Sequence, residues 1–273
     1  MAELTPMMQQ YFEIKNKNKD YILFYRLGDF YEMFFDDAKL VSRELELTLT
    51  GRDCGQGERA PMCGVPYHSA EGYIAKLVQK GYKIAICEQM EDPKKAKGLV
   101  KREIIRRVTP GTVVEASMLD ENRNNFLGCV YAAGGFVGVC FADITTGSVY
   151  ATGSDNWNDI TSEFGRFAPR EVLVGGGAIS ADGLQSFLKE RLEALIEPMP
   201  EECFEAQRSA ERIQEHFKMQ DFDAAGLTDL PCTVQCLGGL LDYLEQTQKA
   251  SLSSLNQLQV YHQRQYMELD LIA

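Results

Sequence analysis

The chain has 273 residues, 45% hydrophobic, 25% charged and 10% aromatic, which excludes a collagen, a low-complexity scaffold and a charge-dominated disordered segment. At about 150 residues per domain it holds two compact units, each able to bury a core. The net charge of -12 hides an asymmetry: Met1 to Glu115 carries 18 Lys and Arg against 17 Asp and Glu, whereas Ala116 to Ala273 carries 10 against 23, so the halves face different partners.

Thr5-Pro6 supplies a hydroxyl N-cap and a proline at the first position of a helix running through MMQQYFEIKNK. Tyr21 to Leu27 (YILFYRL) is almost continuously apolar and predicts a central strand, which Gly28-Asp29 breaks before a short extended piece, Phe30 to Phe34. A helix follows over Asp37 to Leu47. Thr50 to His68 is rich in Gly and Pro and reads as a long connection, functional or mobile. Ser69 N-caps a helix through AEGYIAKLVQK that stops at Gly81, and YKIAICEQM supplies another strand, so helices and strands alternate on a mixed or parallel sheet.

Phe30 and Glu32, two residues apart on an extended piece, face the same way. An aromatic beside a carboxylate can wedge into stacked bases while the carboxylate tests a base edge. An aromatic there is more often ordinary core, and from the residues alone core is the favoured reading of Phe30. Lys94, Lys95, Lys97, Lys101, Arg102, Arg106 and Arg107 make the one basic cluster in the sequence. Strand alternation in REIIRRV would put Arg102, Ile104 and Arg106 on one face and Glu103, Ile105 and Arg107 on the other, so a solvated face and a phosphate contact both remain open.

After Thr109-Pro110-Gly111, the polar segment Val114 to Asn125 marks a domain boundary. Phe126 to Ala142 is uncharged and just long enough to cross a bilayer, but Gly134-Gly135 divides it as a hairpin turn does, and two buried strands are expected instead. Phe126 to Ala133, Phe136 to Asp143 and Ser148 to Thr152 then form a meander, followed by a helix (159–167), a strand (Glu171 to Val174) and helices at 180–192, near 207–217 and near 235–246. This order resembles the ribonuclease H-like arrangement, in which a strand carboxylate can hold catalytic magnesium. Asp143 therefore makes a magnesium-dependent nuclease the alternative function, although two-metal hydrolysis needs partner carboxylates and Gly175-Gly176-Gly177 stands at the end of the fourth strand. Those glycines, lacking the third glycine of a dinucleotide fingerprint, read as a strand-end turn capped by Ser180, and no phosphate loop occurs.

Cysteines 54, 63, 87, 129, 140, 203, 232 and 236 form no Cys-x-x-Cys pair and follow no signal peptide, which fits reduced thiols in the cytoplasm. Cys232-x-x-x-Cys236 is the nearest approach to a zinc signature but lacks a second pair. His68 reads as a hydrogen-bonded structural residue, and Trp157 and Phe164 as core.

The segments TPMMQQY, LFYRLGDFYEMFFDDA, PMCGVPYH, YIAKLVQKGYKIAICEQMEDP and RRVTPGT closely resemble the N-terminal mismatch-binding domain of the bacterial MutS family, in register from residue 5 to about 115. ADITTG, PREVLV and LLDYLEQTQK are similar to its connector domain. The resemblance implies an α/β protein with a mixed-sheet mismatch-binding domain at 1–115, a linker at 116–125, a ribonuclease H-like connector domain at 126–250 and, at 251–273, the start of the core or lever region, ending at MELDLIA where the family continues. In the family a Phe-x-Glu motif carries mismatch recognition, and its positions here are Phe30 and Glu32, with Tyr31 between them. It also implies Leu27 beside the wedge, and Arg52, Met62 and Arg102 where the domain approaches the DNA backbone and minor groove.

By the same resemblance the chain is a DNA mismatch-recognition module that is not itself an enzyme and holds no cofactor, the ATPase part with its ATP and magnesium lying outside these residues. Its implied partners are mismatched double-stranded DNA, MutL and a second copy in the full-length protein, in the cytoplasm and without a membrane. Unstacking a base step costs a few kcal/mol and least where the pair is already weak, so a protein that demands a kink reads deformability instead of sequence.

Overall fold

The computed structural model describes residues 4–55, 57, 59–91, 98–115, 118–119, 123–248 and 252–262. They fall into two compact units, both mixed α/β as expected, that divide between Pro110 and Gly111.

In the first unit, α1 (Pro6–Asn16) starts where Thr5 Oγ1 accepts a hydrogen bond from the Met8 amide at 3.4 Å. β1 (Ile22–Leu27) turns at Gly28, whose φ of +58° suits glycine, into β2 (Phe30–Phe34). α2 (Phe35–Leu45) leads to β3 (Thr50–Asp53) and β4 (Arg59–Pro66), an antiparallel hairpin. The long connection expected between Thr50 and His68 is therefore mostly strand. Pro61 and Gly64 disguise in the sequence the period-two pattern that buries Cys63 and Val65. α3 (Ala70–Gln79), β5 (Ile84–Gln89) and β6 (Arg102–Val108) complete a sheet of order β3-β4-β2-β1-β5-β6, in which only β1 and β5 run parallel.

Pairing register assigns the two faces of this sheet. Leu23, Tyr25, Phe34 and Ala85 share one face, where Met8 and Tyr11 of α1 pack into a common core. Met33 and Cys63 lie on the other, against α2, with the Cys63 thiol donating to the Ala38 carbonyl at 3.4 Å. β6 carries one extra residue: Cys87 faces Ile104 while Ile86 faces Arg106, so Ile105 bulges. The bulge moves Arg107, not Arg106, to the side of Arg102, and corrects the unbroken alternation expected of REIIRRV.

The second unit opens with the expected meander, β7 (Leu127–Ala133), β8 (Phe136–Asp143) and β9 (Ser148–Ser154). Gly134 and Gly135 make its first turn at φ +59° and +85°, so the apolar run is a hairpin. Among the described residues no helix is long and apolar enough to cross a membrane. α4 (Trp157–Phe167), β10 (Glu171–Gly176), α5 (Asp182–Ser186), β11 (Leu195–Pro198), α6 (Ala206–Phe217), α7 (Pro231–Thr247) and β12 (Gln257–Val260) follow. The sheet order is β11-β10-β7-β8-β9-β12, with β10 parallel to β7 and β11 parallel to β10, the ribonuclease H-like arrangement.

Three details depart from the sequence-based expectation. The helix expected at 180–192 is a 3-10 turn at Gly177–Ser180, the short α5 and a π turn at Phe187–Arg191. β12 pairs with β9, so residues 257–260 belong to this sheet and not to a region beginning at 251. The Gly111 amide donates to Glu171 Oε2 at 2.8 Å and Gln248 Nε2 to the Thr112 carbonyl at 3.3 Å, which ties the chain into the second unit ahead of the linker expected at 116–125.

α7 lies on one face of the second sheet, where Leu237, Leu240 and Leu244 pack with Cys129, Tyr131 and Ala142. α4 lies on the other, packing Ile160, Phe164 and Phe167 against Val130, Val139 and Phe141. Glycine sets the closeness of the first contact: a Cβ on Gly138 would overlap the Cys232 carbonyl and the Thr233 amide. Gly138→Ala should therefore destabilise the second unit by about 3 kcal/mol, read as a lower urea midpoint, and an unchanged midpoint would contradict the close approach of α7 to β8.

Candidate nucleic-acid interface

The six residues singled out in the first unit lie on one face of its sheet. Leu27 pairs with Phe30, Tyr25 with Glu32, Glu32 with Gly64, Phe34 with Met62, Arg52 with Ala60, and Gln89 with Arg102, all on the side that α1 partly covers. Where that cover ends, Phe30 stands 45% exposed, so it is not the core residue that an aromatic usually is. Leu27 is half-buried opposite it, and Met62 is half-buried further along the same face opposite Phe34, both packed against the α1-side core.

Gly64 lies beside both side chains: a Cβ there would meet Glu32 Cγ at 3.4 Å and Phe30 Cδ1 at 3.8 Å, both ordinary contacts, with the Tyr31 carbonyl oxygen tighter at 3.3 Å. From the opposite face the hairpin that carries Phe30 is held firmly. Tyr31 Oη donates to Glu88, and Arg26 Nη1 reaches Glu88 Oε1 at 3.2 Å. The Arg26 guanidinium stacks 3.6 Å from the centre of the Tyr67 ring, and the Tyr67 amide donates to the Asp29 carbonyl at 3.0 Å. This bracing limits rearrangement of the hairpin and of the exposed ring it carries. The sequence alone does not single out Gly64 and Tyr67, because β4 and the turn after it look like a connection, nor Arg26, whose partners Glu88 and Tyr67 are brought to it only by folding.

Glu32 does not stand alone. Its Oε2 accepts from Arg52 Nη1 at 2.8 Å, with the carboxylate side chain 15% exposed and the guanidinium side chain 41%. Burial pushes the Glu32 acid above its ordinary range, and the Arg52 charge and hydrogen bond oppose that rise. Arg52 is thus first a counter-ion to the carboxylate.

Arg102 is buried and engaged within the first unit. It is 7% exposed, donates from Nε to the Arg26 carbonyl at 2.8 Å and from Nη1 to Gln10 Oε1 and the Val100 carbonyl at 3.0 Å each, and lies over the Tyr25 ring. The rest of the basic cluster is similarly engaged where it is described: Lys101 pairs with Glu103 at 2.7 Å, and Arg107 donates to Asn18 at 2.9 Å. Lys94, Lys95 and Lys97 lie outside the described residues. His68 is exposed, its ring edge-on to that of Tyr67.

The second unit assembles no comparable site among its described residues. Asp143 is fully buried and its Oδ1 accepts from the Thr145 amide at 2.9 Å and the Thr145 hydroxyl at 2.5 Å, bracing the β8–β9 turn. Glu171 accepts from the Gly111 amide and from Tyr243 Oη. The one metal-ligand cluster among the described residues is three buried thiols, Cys129, Cys140 and Cys236, not convergent carboxylates, which leaves the nuclease alternative without a metal centre there. Burial raises the Cys140 and Cys236 thiols well above their ordinary range, and Cys232 turns away to the Ala133 carbonyl, so the Cys232-x-x-x-Cys236 pair does not converge. Gly175 accommodates the Phe204 ring, a packing role and not a dinucleotide loop. Phe164 is core, whereas Trp157 is exposed at the start of α4.

Family comparison gives this geometry its context. Residues 5–117 match the model of MutS domain I and residues 125–259 that of MutS domain II. The chain belongs to the MutS family. Among the relatives it resembles, the DNA mismatch repair protein MutS of Acetivibrio thermocellus is 50% identical over 99% of this chain and 31% of its own length. MutS of Ruminiclostridium cellulolyticum is 49% identical with the same coverage, and MutS of Lachnoclostridium phytofermentans 49% identical over 99% of this chain and 29% of its own. The chain thus spans about a third of the length of these MutS relatives and corresponds to their first two domains.

Proposed function

We propose that the first unit recognises mispaired bases in double-stranded DNA, with Phe30 inserting and stacking at the mispair, Glu32 hydrogen-bonding a base edge, Leu27 beside the ring, and Met62 further along the same face offering a pliable apolar surface to the DNA. The exposure of Phe30 at the uncovered part of the sheet, beside Glu32 and over Gly64, carries this reading. A ring braced from behind can enter a base step only where stacking is already weakened, which selects mispairs of many kinds without reading sequence.

In this reading the second unit, acidic and poor in phosphate contacts, relays the DNA-bound state to the ATPase part of a full-length protein and to MutL. ATP and magnesium act outside residues 5–259, and the working assembly is a homodimer.

Competition between mispaired and fully paired duplexes for the full-length protein tests the proposal. A preference of about tenfold or more for the mispaired duplex is expected, from the roughly 1–3 kcal/mol that base–aromatic stacking supplies. Equal affinities would refute it.

A further inference from the structure

The ion pair beside the wedge raises a physical problem. A carboxylate facing DNA is repelled by phosphates, yet Glu32 approaches the interface already neutralised by Arg52. We propose that Arg52 sets specificity as an exchangeable partner of Glu32, staying on the carboxylate over paired DNA and moving to a backbone phosphate only when an unstacked base engages Glu32 instead. The proposal deepens the mismatch-recognition reading above and rests on it.

Three observations support the exchange. Arg52 holds Glu32 through Nη1 alone, with its side chain 41% exposed, so among the described residues its other donors have no protein partner and can meet a phosphate. Glu32, at 15% exposure, sits deeper and next to Phe30, within reach of what the ring displaces. The elements packed around Glu32 offer no replacement cation: Tyr25 on β1 donates its hydroxyl to Gln10 of α1, β4 presents Gly64 and Met62, and Arg52 is the only charged group acting on the carboxylate among the described residues.

When a phosphate takes the guanidinium, burial favours the neutral acid. Glu32 then takes a proton from solvent and donates its O–H to an acceptor on the unstacked base. Over a paired duplex the bases stay stacked, nothing replaces Arg52, and the pair remains closed. Arg52 is therefore a positioning residue whose grip on the backbone is conditional on the base.

The salt dependence of binding by the full-length protein tests this. In the wild type, the slope of log affinity against log salt should be steeper for the mispaired duplex by about 0.9, one phosphate contact. Arg52→Met should erase that difference and narrow mismatch preference, and Arg52→Lys should restore most of it. Glu32→Gln should raise the paired-duplex slope to the mispaired value, because a neutral amide oxygen holds Arg52 far more weakly than the carboxylate does.

In this chain, carboxyl 13C titration should show the Glu32 midpoint moving up in Arg52→Met and returning in Arg52→Lys. Equal slopes in the wild type, a slope difference that survives Arg52→Met, or an unmoved Glu32 midpoint would each overturn the exchange. If mismatch preference depends on Phe30 while the slopes are equal, only the exchange fails; if preference survives Phe30→Ala, the recognition reading fails with it.

Discussion

Phe30→Ala should remove the preference for mispaired DNA while leaving the fold intact. The ring is 45% exposed, so truncation opens no core cavity and stability should change by about 0.5 kcal/mol or less. Binding to the mispaired duplex should weaken by about five- to 150-fold, the equivalent of the roughly 1–3 kcal/mol that stacking on a base supplies, whereas binding to the paired duplex should barely move. Fluorescence anisotropy with both duplexes at one salt concentration reads the result. Retained discrimination with the ring gone would transfer the recognition role to another group.

Glu32→Gln should act in the opposite sense on correct DNA. Replacing the carboxylate by an amide removes the negative charge 2.8 Å from Arg52 and leaves at most a neutral hydrogen bond, which a phosphate outcompetes, so affinity for the paired duplex should rise about fivefold, corresponding to about 1 kcal/mol. Glutamine keeps a donor for a base edge, so mispaired affinity should stay close to wild type and discrimination should narrow from the paired side. Paired-duplex affinity unchanged at low salt would show that the carboxylate plays no part in rejecting correct DNA.

Much of this arrangement was legible in the sequence, for identifiable reasons. β1 is an unbroken apolar run ended by Gly28, and the Gly134-Gly135 turn splits the long apolar segment of the second unit; both signals are local and came through. Phe30 and Glu32 lie two apart on one strand, so their common face follows from strand geometry alone. The partner of Glu32 did not follow, because Arg52 is brought to it across β4, a strand whose Gly and Pro content reads as loop. The burial of Arg102 did not follow either, because an arginine in a basic cluster looks exposed until the acceptors on Arg26, Gln10 and Val100 are seen to engage it. The edge strands β11 and β12, four residues each, are too short to carry a period and depend on neighbours for their existence. Long-range pairing, not composition, decided each of these cases.

If Phe30 enters a weakened base step, the duplex must kink there, and its ends must approach. Förster transfer between dyes at the two ends of a short duplex, at saturating full-length protein, measures that directly. The ends should draw together on a mispaired duplex, remain apart on a paired one, and remain apart on both with Phe30→Ala. A mispaired duplex that stays straight with the wild type, or bends equally without the ring, would contradict the account.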